Sequence, residues 1–168
     1  MKWLFFVFAL LLALGACKKT VTEDTDYLEH IRIDSEKIRA YLTANNIPIK
    51  KVSDTIGVYY QIIDSGNVNT LFSSSTLITV GYSATIIQND ATLSDTVSKT
   101  DAIHPSFTLG SVIRGWQVGI PLIKRNGRIR LFVPSRYAYG KYEQSSNTDT
   151  IPAYSCLNFD ITLYNVSN

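Results

Sequence analysis

The chain has 168 residues, of which 18% are Asp, Glu, Lys or Arg, and its formal net charge of +2 comes with no long basic stripe. The electrostatic footprint of a nucleic-acid binder is therefore missing. Two cysteines give no disulfide framework, and His30 and His104 are too isolated to suggest a metal site, so stability falls to one hydrophobic core and no cofactor is expected.

Lys2 precedes an unbroken apolar run from Trp3 to Leu14 that closes on Gly15 and Ala16, which reads as a signal peptide over residues 1–16. The run falls short of the roughly 20 apolar residues that a membrane-spanning helix needs. Leu14-Gly15-Ala16-Cys17 resembles the bacterial lipobox, in which lipid is attached to the cysteine sulfur and cleavage leaves that cysteine first. Cys17 is thus the expected lipidation site, with each buried acyl methylene adding about 0.8 kcal/mol of membrane affinity. Cys156 is then left without an intramolecular partner. The expected location is the bacterial cell envelope, with a membrane-anchored lipoprotein whose domain lies outside the cytoplasm. Residues 17–25 are polar and charged, as suits a tether.

From Asp26 the pattern changes, because Leu28, Ile31, Ile38 and Leu42 recur at helical spacing. Asp26 and Glu29 have the spacing of a capping box, and Asn45-Asn46 with Pro48 supply a stop. This predicts a separate helical extension over residues 26–50, ahead of a domain over 56–168. Ile56–Ile63 and Leu77–Ile87 are rich in β-branched and aromatic residues and read as strands. Gln88–Pro105 is polar and turn-like, Ser106–Leu109 returns to strand, and Val112–Ile120 is a short helix limited by Pro121. Arg128–Val133 and Leu157–Leu163 alternate, predicting one face on a core and one in water, while Gly140–Thr150 reads as an exposed loop. Together these elements predict an α+β fold: an antiparallel β-sheet wrapped around a short α-helix, preceded by an N-terminal helix, with no second core.

Phe107-Thr-Leu-Gly-Ser-Val-Ile-Arg-Gly-Trp-Gln-Val-Gly119 is followed in order by Arg125-Asn-Gly127, Val133-Pro134, Tyr137-Ala-Tyr-Gly140, Ile151-Pro152 and Leu157-Asn-Phe159. This series resembles the second half of an FKBP-type peptidyl-prolyl cis/trans isomerase, and the resemblance extends from about Ile56 to Val166. It implies a peptide pocket of Tyr82, Asp95, Phe107, Val112, Ile113, Trp116, Tyr139, Ile151 and Phe159. By the family pattern Trp116 forms the floor, and the Ile113 N–H and the Tyr139 hydroxyl donate to substrate carbonyls. Asp95 orients groups at the rim, supported by Tyr82, and the remaining residues form apolar walls.

Elementary chemistry agrees with this implication. Rotation about an Xaa-Pro bond meets a barrier of about 18 to 20 kcal/mol, and lowering it needs no nucleophile, metal or proton carrier. Taking the imide out of water removes hydrogen bonds that favour its planar form, and walls shaped for the twisted bond then bind that state best. The resemblance implies proline-containing segments of exported proteins as substrates, and a monomer that touches the membrane through its lipid. The alternative is a catalytically weak domain that binds such segments as a chaperone or envelope assembly component. The chain departs from the family pattern at Ala91-Thr-Leu-Ser-Asp-Thr-Val97, where Ser94 occupies the place of a pocket phenylalanine and predicts an open wall. Glu143–Asp149 likewise replaces a glycine-rich rim loop.

Lipidation at Cys17 has a direct test: the wild-type protein should fractionate with membranes, and Cys17→Ser should move it to the soluble fraction. Equal solubility of the two proteins would refute the anchor.

Overall fold

A computed structural model describes residues 23–53, 56–100, 102–146 and 149–168, so the signal peptide, Cys17 and most of the tether lie outside the described residues. Among the described residues, no helix is long and apolar enough to cross a membrane.

Helix α1 spans Glu23–Ala44, so Asp26 and Glu29 lie inside its first turns and the expected capping box does not mark its start. Its end follows the expected stop signal. Asn46 takes a left-handed φ of 54°, its N–H donates to the Thr43 carbonyl at 3.2 Å, and the Ile47 N–H donates to the Leu42 carbonyl at 2.9 Å. That pairing satisfies two carbonyls the helix would otherwise orphan.

Strands β1 (Tyr59–Asp64), β2 (Leu77–Ile87), β3 (Leu93–Lys99), β4 (Ser106–Thr108), β5 (Arg128–Val133) and β8 (Leu157–Ser167) form one antiparallel sheet. Their order is β1-β5-β8-β2-β3, with β4 beside the start of β2. β6 (Gln144–Ser145) and β7 (Thr150–Ile151) make a separate two-stranded ladder within the expected 140–150 loop. β3 corrects the turn-like reading of Gln88–Pro105. Its composition is polar because it is an edge strand none of whose residues is fully buried, and two register shifts against β2 break its alternation.

Helix α2 (Arg114–Gly119) lies on the concave face of the sheet, where Ile78, Val80, Ala84, Ile129, Leu131, Val133, Leu157, Phe159, Ile161 and Leu163 converge with Trp116 and Ile120. Two glycines set how close the helix comes. A Cβ on Gly115 would stand 2.5 Å from Val133 Cγ1, and one on Gly119 would stand 2.5 Å from Leu131 Cδ2. Both distances lie far inside van der Waals contact, so at these two positions the helix backbone rests directly on the Val133 and Leu131 side chains of β5.

The expectation of a single core with a separate helix is overturned by the opposite face. There Ile38, Tyr41 and Leu42 of α1 pack on Tyr59, Ile87, Phe132 and Cys156 in a second buried cluster. Phe132 points away from α2, at the position where alternation predicted water, and α1 excludes that water. Leu28, expected on the buried stripe, is 62% exposed, while Ile38 and Leu42 further along the helix are fully buried.

Candidate active site

The concave face carries a cavity of about 270 Å³ over α2, lined by Tyr82, Phe107, Val112, Ile113, Trp116, Tyr139, Ile151 and Phe159, with Ala84, Ser98 and Ser111. Position along the fold explains each wall. Tyr82 comes from the middle of β2, Phe107 from β4, Phe159 from β8 and Ile151 from β7. Trp116 is one residue past Gly115, so the close approach of α2 to β5 leaves its indole as the base of the cavity, only 5% exposed.

The rings meet edge to face. Trp116 lies 5.0 Å from Tyr82 at 80°, 5.4 Å from Phe159 at 84° and 6.2 Å from Phe107 at 81°, centroid to centroid. Such T-shaped contacts between neighbours hold each ring at a fixed angle and stabilise the set by about 0.5 to 1.5 kcal/mol per pair beyond area burial. The Trp116 Nε1–H is buried and has no protein acceptor among the described residues.

Besides the indole N–H, the Ile113 N–H and the Tyr139 hydroxyl stand uncommitted on these walls among the described residues. Val112 and Ile113 are extended, and Ile113 precedes the first turn of α2, so its carbonyl accepts from Trp116 at 3.0 Å while its own N–H finds no acceptor among the described residues. Burial, aided by the nearby Tyr82 hydroxyl, pushes the Tyr139 hydroxyl above the ordinary tyrosine range. Tyr139 therefore stays protonated and able to donate at neutral pH.

Asp95 is the one expected pocket residue that the structure does not bring to the others. It is exposed on β3, outside the cavity. The partner of Tyr82 is Ser98, whose Oγ lies 3.1 Å from the Tyr82 hydroxyl. The physical reason is bulging: β3 pairs Ala84 with Ser98 and Thr85 with Thr96, then Ile87 with Leu93, and each shift changes which side chains face inward. Counting along the degraded motif could not reveal this. Ser94 likewise does not line the cavity. Its Oγ accepts the Ile86 N–H at 2.9 Å and donates to the Asp95 carbonyl at 2.6 Å, filling the ladder position that the bulge vacates. The other cysteine, Cys156, is buried beneath α1, and burial together with the nearby Asp34 pushes its thiol up, so it stays an unreactive thiol.

A sheet wrapped on a short helix, with an aromatic pocket opening above that helix, defines an FKBP-like α+β domain. Comparison with known proteins makes the assignment specific. The sequence model of the FKBP-type peptidyl-prolyl cis-trans isomerase family matches residues 69–164, and the chain belongs to that family. It is 34% identical over 116 residues to the FKBP-type peptidyl-prolyl cis-trans isomerase FkpA of Escherichia coli (strain K12), across 69% of this chain and 40% of that protein. It is 31% identical over 105 residues to FK506-binding protein 1 of Saccharomyces cerevisiae, across 62% of this chain and 89% of that one. The crystal structure of FkpA from Escherichia coli superposes with a TM-score of 0.61 at 28% identity, covering 86% of this chain and 65% of that one. The match to FkpA thus spans well under half of that relative's length.

The Ser94 geometry yields a prediction opposite to that of an open wall. Ser94→Ala should lower stability by about 1 kcal/mol, the scale of one lost hydrogen bond, and leave peptide affinity unchanged. Thermal denaturation and a peptide titration check the two halves, and a weakened peptide Kd at unchanged Tm would return Ser94 to the pocket.

Proposed function

We propose that this domain catalyses peptidyl-prolyl cis/trans isomerisation on proline-containing segments of exported proteins. The observation that carries the reading is the cavity of about 270 Å³ based on Trp116, apolar on its walls and offering donors at its rim. The proline ring lies on the Trp116 indole between Phe107 and Phe159, which strips water from the imide. Val112 and Ile151 close the sides. The Ile113 N–H binds a substrate carbonyl and fixes the peptide, while the Tyr139 hydroxyl donates to a second carbonyl. Rotation of one side of the bond then proceeds with the other side held, and the pocket favours the twisted state because planar imide no longer has water to support its charge separation.

Tyr82 belongs to the wall through its edge contact with Trp116, and its hydroxyl is oriented by Ser98. No carboxylate lines the cavity among the described residues, so the site works by desolvation and neutral donors. This same feature favours the second reading, a domain that binds proline-containing segments with little turnover, because a neutral partner on Tyr82 polarises the site less than a carboxylate would. Export and anchoring through Cys17 complete the proposal, supported by the apolar run and lipobox at the N-terminus.

The two readings separate on Tyr139. Tyr139→Phe removes one donor and no ring, so the isomerase reading expects kcat/KM for an Xaa-Pro peptide to fall roughly twofold to tenfold with the fold intact. A wild-type protein that binds the peptide yet does not accelerate isomerisation would establish the binding-only reading. Unchanged kcat/KM in the variant would move the donor elsewhere.

A further inference from the structure

Asp34 stands in the buried stripe of α1, between Ile31 and Ile38, and is only 2% exposed. A carboxylate in that place is costly unless its oxygens are hydrogen-bonded. Its Oδ2 accepts the Ser135 N–H at 2.8 Å and the Ser135 hydroxyl at 2.7 Å. These are charge-assisted bonds, short and geometrically demanding, and they cross from α1 to the turn that follows β5.

That turn carries Tyr139. The Ser135 carbonyl accepts the Ala138 N–H at 2.9 Å and the Gly140 N–H at 2.8 Å, so Ser135 closes the chain on both sides of Tyr139. At the far end the Gly140 carbonyl accepts the Tyr154 N–H at 2.7 Å, and the Tyr154 ring stacks on His30 of α1 with centroids 3.6 Å apart and planes at 18°. Between these two ties a cavity of about 420 Å³, lined by Tyr27, His30, Ile31, Arg136, Lys141 and others, separates helix from turn. Helix α1 therefore meets this turn directly at Ser135, and the His30–Tyr154 stack joins it to the same segment across the cavity.

We propose that Asp34 is a positioning residue for the isomerase site, acting through Ser135 to fix the turn that presents the Tyr139 hydroxyl to the Trp116 cavity. The inference rests on the proposed role of Tyr139. Helix α1 touches no substrate and still sets turnover, because displacing a donor by a fraction of an ångström costs more in the transition state than in the ground state.

A double-mutant cycle on the full chain distinguishes positioning from plain stabilisation. Wild type, Asp34→Ala, Tyr139→Phe and the double variant are compared by Tm and by kcat/KM per folded protein on an Xaa-Pro peptide. Asp34→Ala should lower kcat/KM roughly tenfold in the wild-type background and less than about twofold once Tyr139 is Phe, while lowering Tm equally in both. Asp34→Asn, which keeps one acceptor oxygen, should recover most of the rate. A full loss in both backgrounds, or no loss in folded Asp34→Ala, overturns the positioning role alone. A Tyr139→Phe protein with wild-type kcat/KM overturns the assigned donor and this inference with it. Where Asp34→Ala does not fold, Ser135→Ala, which retains the backbone bond, runs the same cycle with the same criteria.

Discussion

The structure depends on how closely α2 approaches β5. At Gly115 and Gly119 the helix has no side chain between its axis and the strand, and a single added Cβ at either would collide with Val133 or Leu131. That approach places the next residue, Trp116, below the level of the surrounding strands, so the concave face keeps a hollow above the indole where a bulkier helix surface would fill it. Tyr82, Phe107 and Phe159 then meet the indole edge to face, and each ring restricts its neighbours. The pocket is in this sense a consequence of two missing methyl groups.

The sheet serves two helices, one on each face. α2 fills the concave side, and α1 covers the end of the other side over Tyr59, Ile87, Phe132 and Cys156. Because β5 contributes Leu131 and Val133 to one cluster and Phe132 to the other, both cores share one strand, and the turn after that strand carries Tyr139. Asp34 reaches this turn from α1 at Ser135. The site is thus held from below by glycine-mediated contact and from behind by a buried carboxylate.

Much of this was legible in the sequence, and the failures have definite causes. Strands β2 and β5 match the runs at Leu77–Ile87 and Arg128–Val133 residue for residue, because β-branched and aromatic content marks the first and apolar alternation the second. The cavity gathers Tyr82, Phe107, Val112, Ile113, Trp116, Tyr139, Ile151 and Phe159, all of them expected by family resemblance. Asp95 and Ser94 were misplaced because a bulge changes side-chain parity without leaving a local signature, and the same bulges delivered Ser98 to Tyr82 unannounced. The α1 contact was readable in part: Asp34 falls at helical spacing within the apolar stripe, where a charged residue signals a buried partner, but nothing in the sequence points to Ser135 as that partner.

Desolvation in the Trp116 cavity, with donors and no charge, can be followed at the protein amides as peptide binds. In a titration of isotopically labelled protein with an Xaa-Pro peptide, followed by two-dimensional NMR, saturable shifts are expected at the Ile113 N–H and the Trp116 indole N–H. The same spectra should show the peptide's cis and trans signals exchanging faster as protein is added, and an Xaa-Ala peptide should produce neither effect. Shifts confined to the surface between α1 and the Tyr139 turn, or cis and trans signals that keep their uncatalysed exchange rate at saturation, would contradict it.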